Sequence, residues 1–252
     1  MLLNVEGIDV NAADEDGYTA LMLASRFSHN EVIQTLLKAE RINVNAANMD
    51  GSTVLMIASY FDHKEVVQTV LNVRGINVNA ANSNGNTALI WASDSGHKEI
   101  VEMLLNAEGI DVNAADKDGW TALILASYNG HKEVVQMLLK IEGIVVNAAD
   151  EDGWTALICA SVFGQKEVVQ MLLNVEGINV NASAKNGWTA LIWASHKGHK
   201  EVVQMLLKVE GINVNAANTD GYTALMLASL NGHKGVVQML FDVEGIDVNA
   251  AN

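Results

Sequence analysis

Serine and histidine stand four residues apart repeatedly along this chain, as in Ser59/His63, Ser93/His97, Ser127/His131, Ser195/His199 and Ser229/His233. A glutamate follows the histidine by two residues at Glu65, Glu99, Glu133 and Glu201. A hydroxyl, an imidazole and a carboxylate are the nucleophile, base and orienting acid of acyl transfer, so such a set would make the chain a hydrolase. The arrangement argues against that reading. Acyl transfer needs one triad, whereas this set recurs, and a glycine or another breaker lies between serine and histidine, so the two need not share a helix face. No catalytic residue is assigned; the hydrolase stands as the alternative reading.

Other chemistries find less support. Seven histidines do not form a zinc pattern, His196 and His199 being the only close pair. Asp14-Glu15-Asp16-Gly17 and Asp150-Glu151-Asp152-Gly153 look like pieces of a calcium loop without its remaining ligands, and acidic turn tips are the simpler reading. There is no phosphate-cradling glycine loop, so neither a metal nor a cofactor is expected. The formal charge of −15 argues against a nucleic-acid partner. No apolar run is long enough to span a bilayer, and no membrane partner is expected. The single cysteine, Cys159, excludes an internal disulfide and suits a reducing setting, intracellular and cytoplasmic. It takes the place held elsewhere by Leu23, Ile57, Trp91, Leu125, Trp193 and Leu227, which reads as an interior helix position and predicts a buried, inert thiol.

The elements carrying these residues repeat. Gly17, Gly51, Gly85, Gly119, Gly153, Gly187 and Gly221 are each followed by x-Thr-(Ala/Val)-Leu, always 34 residues apart. A fixed period of this length marks a repeat architecture. Within one copy, Gly187 to Leu207, a turn glycine precedes Thr189, a helix cap. A short apolar helix follows, then a break at His196-Lys197-Gly198, then a second helix with Val202, Val203, Leu206 and Leu207 at helical spacing. The segment after it, such as Gly211 to Ala216, is extended and polar. A helix pair this short cannot bury its apolar faces alone, so the copies must stack.

The pattern Asp/Asn-x-x-Gly-x-Thr-x-Leu, Ala-Ser-x-x-Gly-His-x-Glu-Val-Val-x-x-Leu-Leu and Gly-x-x-Val-Asn-Ala resembles the ankyrin repeat over essentially the whole chain. The resemblance implies an all-α helix-turn-helix solenoid with projecting β-hairpin-like loops and a concave, partner-facing side. It implies a structural Gly-His pair tying neighbouring loops. Residues 1–13 are expected to be a partial N-terminal repeat, the end of a second helix and its loop. Residues 14–251 are expected to hold seven repeats in one continuous solenoid domain. Thr-Ala-Leu stands where the family usually has Thr-Pro-Leu-His, and apolar packing by residues such as Met22, Ile124 and Ile192 must replace the missing histidine. The repeat is one residue longer than usual, which predicts a lengthened end of the second helix. Neither terminus shows a polar cap, so the expectation is a monomer or a segment of a longer array. Drift at framework positions (Arg41, Arg74, Val145, Gln165, Gly235) points to recent natural duplication.

What differs between copies points to function. The residue after each turn glycine is Tyr18, Ser52, Asn86, Trp120, Trp154, Trp188 or Tyr222, and turn chemistry predicts that it is largely exposed. The end of the first helix adds Arg26, Phe27, Tyr60, Phe61, Tyr128, Phe163 and His196. Exposed aromatic clusters are favoured interface anchors. The expected partner-binding set is therefore Tyr18, Phe27, Tyr60, Phe61, Trp120, Tyr128, Trp154, Phe163, Trp188, His196 and Tyr222. Asp16, Asp50, Asp118, Asp152 and Asp220 rim it, which would favour a basic protein partner. The leading expectation is a non-catalytic protein-interaction scaffold. A ladder of stacked rings in a purely structural spacer is the competing reading.

Overall fold

The computed structural model describes residues 9–248, so the helix end at Met1–Gly7, within the partial repeat expected over residues 1–13, lies outside the described residues. The chain divides into two compact units. The N-terminal unit, ending at Lys117, holds α1 (Ala20–Arg26), α2 (Asn30–Leu36), α3 (Val54–Tyr60), α4 (Lys64–Leu71), α5 (Ala88–Asp94) and α6 (Lys98–Leu105). The C-terminal unit, starting at Asp118, holds α7 (Ala122–Asn129), α8 (Lys132–Leu138), α9 (Ala156–Val162), α10 (Lys166–Leu173), α11 (Ala190–Lys197), α12 (Lys200–Leu206), α13 (Ala224–Leu230) and α14 (Lys234–Phe241). Each odd-numbered helix packs on its even-numbered partner. Within each unit odd helices also pack on odd and even on even, giving two helical layers.

Local chemistry sets the helix ends. Every first helix starts at a threonine whose Oγ1 accepts the N–H three residues on, from Thr87 to Ile90 at 3.2 Å to Thr53 to Met56 at 3.5 Å. A residue in the left-handed region follows each first helix, directly or after one further residue. Glycine is there in most copies, as at Gly130 and Gly198, but Ser28 (φ 54°) and Asp62 (φ 57°) stand there in the first two. The second helices bury their Val-Val-x-x-Leu stripe, as in Val202, Val203 and Leu206. Small alanines such as Ala92 and Ala194 are fully buried in the first-helix layer and let neighbouring helices approach closely. The second helices run seven or eight residues and pass into a turn, as at Asn106–Gly109.

The loops are hairpin-like, closed by bridges such as Ala13 to Thr19 and Ser183 to Thr189. Their tips are zipped together by backbone bonds: Ser83 N–H donates to Asp50 O at 2.7 Å, and Lys185 N–H donates to Asp152 O at 2.7 Å. The tip glycine is required twice over. Gly85 has φ +84°, and a Cβ there would meet the backbone of Asp116 and Lys117 at 2.8 Å. A second tie comes from the Val-Asn-Ala asparagines. Asn181 donates Nδ2 to Gly211 O and accepts the Asn213 N–H on Oδ1, both at 2.8 Å. Asn79 does the same with Gly109 and Asp111, at 2.7 and 2.8 Å. One amide therefore satisfies two backbone groups of the next repeat, a ladder that the sequence reading did not single out.

Candidate functional site

The Ser/His/Glu sets do not assemble. Ser59, Ser93, Ser127 and Ser195 are 0% exposed, shut inside the first-helix layer, and the exposed Ser229 donates its hydroxyl to Leu225 O at 2.7 Å and has Gly235 where the other sets have glutamate. The histidines face elsewhere. His97 Nε2 lies 3.1 Å from Tyr60 O, His199 Nε2 2.9 Å from Val162 O and His233 Nε2 3.0 Å from His196 O. A carbonyl only accepts, so Nε2 carries the proton and these imidazoles tie repeat to repeat. The glycine before the histidine makes room for the next repeat's ring: a Cβ at Gly198 would meet the His233 imidazole at 2.6 Å. Cys159 is fully buried, and burial first, then the Asp150 carboxylate, pushes its thiol pKa up to about 12. Among the described residues no group of three or more His, Cys, Asp or Glu side chains could hold a metal ion.

The aromatic residues do come together, in two sets. In the N-terminal unit, Arg26 lies over the rings of Tyr18 and Phe61, 6.0 and 5.8 Å from their centroids. Tyr60 packs edge-on against Phe61 at 5.0 Å and Trp91 at 5.4 Å. Tyr18, Arg26, Asp50, Ser52, Ile57, Tyr60, Phe61 and Trp91 line a cavity of about 180 Å³. Phe27 is 63% exposed and stacks on His29. In the C-terminal unit, Trp120 packs edge-on against Tyr128 at 5.7 Å, and Tyr128 packs on Phe163 at 4.4 Å. Trp193 is flanked by Trp188 at 4.0 Å and Trp154 at 5.5 Å, with His196 at 5.3 Å from Trp188 and Lys197 over the Trp193 ring. His196 Nδ1 is 3.0 Å from Asn231 Nδ2, which makes Nδ1 the acceptor and the ring neutral. Burial first, then the positive charge of Lys197 and the nearby His233, holds its pKa below the usual histidine value.

Two expectations need correction. The residues after the turn glycines are not largely exposed: Tyr18, Trp120, Trp154 and Trp188 are half-buried, Ser52 is only 5% exposed, and Tyr222 alone of the ring-bearing ones crosses into the exposed class. The reason is lateral packing against rings of neighbouring repeats, which local turn chemistry does not reveal. The position shared by Cys159 is not uniformly interior either. Ile57, Cys159 and Leu227 are buried, whereas Leu23 is 39% exposed and Trp91 and Trp193 are half-buried. Trp91 and Trp193 thus belong to the aromatic face. Their indole size at a position otherwise held by smaller apolar side chains was the available signal. Phe27, Tyr60, Phe61, Tyr128 and Phe163 are exposed as expected.

Sequence profiles described as ankyrin repeats match residues 2–58, 40–116, 108–184 and 175–252. The chain belongs to the ankyrin repeat family. No curated protein sequence matches. Among solved structures, it is similar to the ankyrin repeat domain of Bcl-3, described as a unique member of the IkappaB protein family, with 29% identity and a TM-score of 0.77 over 90% of this chain and 100% of that one. The ankyrin architecture accounts for the threonine caps, the Gly-His ties and the zipped loop tips as framework. Ankyrin repeats serve generally as protein-interaction modules, and the ring-bearing positions are where this array varies. Among the described residues no helix is long and apolar enough to cross a membrane.

Proposed function

We propose that this array is a non-catalytic scaffold that binds a protein through the loop-tip and first-helix face of its repeats. The anchors would be Trp120, Trp154, Trp188, Tyr128 and Phe163, with Tyr18, Phe27, Tyr60, Phe61, His196 and Tyr222 around them. The observation that carries the reading is the clustering of Trp120, Tyr128 and Phe163, whose last two rings remain exposed although each touches another. Rings held against each other lose little freedom on binding and bury large area. The burial of Ser59, Ser93, Ser127 and Ser195 supports the non-catalytic part of the reading, since a nucleophile must reach its substrate, and the exposed Ser229 lacks the glutamate of the other sets. Exposed carboxylates at Asp16, Asp50, Asp118, Asp152 and Asp220 favour a partner of basic character, and the lone buried thiol suits a reducing, intracellular setting. Residues 14–251 are read as one array because the 34-residue period runs through them unbroken. The test is affinity capture with wild type, the Trp120/Trp154/Trp188 triple alanine variant and the milder Tyr128→Ser/Phe163→Ser variant. Loss of the same captured proteins from both variants, with helical content kept, is expected; identical capture by all three would place binding elsewhere.

A further inference from the structure

The two aromatic sets occupy the same repeat positions, three periods apart. Tyr18 corresponds to Trp120, Arg26 to Tyr128, Asp50 to Asp152, Phe61 to Phe163 and Trp91 to Trp193. Arg26 over Tyr18 and Phe61 thus stands where Tyr128 packs on Trp120 and Phe163. Three correspondences break the parallel. Trp154 and Trp188, the indoles flanking Trp193, are replaced by Ser52 and Asn86, and Tyr60 stands where the C-terminal unit has Val162. Trp91 therefore has the Tyr60 ring on one side but lacks both flanking indoles, and the cavity of about 180 Å³ lies beside it with Ser52 in its lining.

We infer that this cavity is a docking cup for one aromatic side chain of a protein partner, seated against Trp91 as Trp154 is seated against Trp193. The inference rests on the interaction-scaffold reading and names what one subsite of it takes. Three features select the occupant. Four rings line it, those of Tyr18, Tyr60, Phe61 and Trp91. Arg26 supplies charge complementarity: its guanidinium attracts the negative face of an incoming ring and repels a lysine or arginine. The Asp50 carboxylate in the lining is an acceptor, which suits a ring carrying a donor, tyrosine or tryptophan, over phenylalanine. The C-terminal unit shows that this repeat geometry accepts an indole at the Ser52 position, because Trp154 is there.

The test uses the full chain with isotope-labelled tryptophan. The indole N–H signal of Trp91 is followed during titration with N-acetyl-tryptophanamide, N-acetyl-tyrosinamide, N-acetyl-argininamide and N-acetyl-leucinamide. The two aromatic amides are expected to shift the Trp91 signal saturably. Ser52→Trp, which repeats the C-terminal arrangement within the chain, is expected to weaken that binding by at least about tenfold with helical content unchanged. Arg26→Gln is expected to weaken it by about threefold. Equal shifts with the leucine or arginine amide, no shift with the aromatic amides, or full binding by Ser52→Trp would each overturn the assignment. Should Ser52→Trp fail to fold, the wild-type titration and Arg26→Gln still decide it. The amide readout is independent of capture by the Trp120/Trp154/Trp188 variant. Unchanged capture would sink the wider reading without altering the Trp91 shifts.

Discussion

The N-terminal and C-terminal units use one repeat framework to build two different aromatic surfaces. In the C-terminal unit Trp193 is enclosed by Trp154 and Trp188, and Tyr128 closes the gap between Trp120 and Phe163. In the N-terminal unit the corresponding places hold Ser52, Asn86 and Arg26, leaving an open cup and an arginine stacked on two rings. The same backbone thus yields a self-filled surface in one unit and a vacant one in the other. The framework costs are also unequal. The C-terminal unit has glycine at the left-handed end of each first helix, whereas the N-terminal unit has Ser28 and Asp62 at two of these places and Gly96 at the third. A framework that fixes Cα positions leaves each ring-bearing position free to serve either stability or recognition.

The comparison can be broken most sharply at the two tryptophans. Trp193→Ala is expected to cost about 3–5 kcal/mol, because it removes a large side chain and two ring contacts. Trp91→Ala is expected to cost about 1–2 kcal/mol less, since neither flanking indole is there to lose. Denaturant unfolding of both variants checks this, and equal losses would show that the C-terminal rings add nothing to stability.

A smaller contrast lies at the helix ends. Gly164→Ala is expected to destabilise by about 1–2 kcal/mol from its left-handed backbone, with more from the His199 ring that its Cβ would meet. Ser28→Gly is expected to stabilise the N-terminal unit by about 1 kcal/mol, because it releases the same backbone penalty. A Ser28→Gly variant that melts lower than wild type would mean that the hydroxyl outweighs the strain.

The smallest effect is a pH slope confined to the C-terminal unit. Burial first, then the charges of Lys197 and His233, hold the His196 pKa below the usual histidine value, and the Asn231 amide donates to its Nδ1. Its pKa is lower folded than unfolded, so the unfolded chain binds the proton more readily. The stabilisation is therefore full above the unfolded value of about 6.5 and is lost as the pH falls below it. Melting temperatures at pH 7.5 and pH 5 should show a drop that His196→Gln reduces. An unchanged slope in that variant would assign the drop to other groups.

Much of the fold is legible in the chain because its determinants are local and repeated. Thr189 before Ala-Leu, the Val202-Val203-Leu206 stripe and Gly187 at a turn each act within a few residues, and recurrence every 34 residues says that like must stack on like. The ring-bearing residues were legible as a set for the same reason, since they are what differs between otherwise matching copies. Their exposure was not. Ser52 looks like a surface turn residue and is buried, and Trp193 looks like core yet lies half-exposed on the aromatic face. The asparagine ladder was equally silent, because Asn181 bonds Gly211 and Asn213, thirty and more residues away, and nothing local requires it.

By itself, then, the sequence determined the repeat, its helices, their caps and turns, and the list of variable aromatic positions, all of which follow from short-range sterics and hydrogen bonding. Only the tertiary structure decided which rings meet, which serines are unreachable, and that three periods of displacement turn a filled aromatic cluster into an open one. Those outcomes depend on side chains from three successive repeats converging in space. Whether an indole of the preceding repeat flanks Trp91 is settled by Ser52, thirty-nine residues before it, and no local pattern reaches that far.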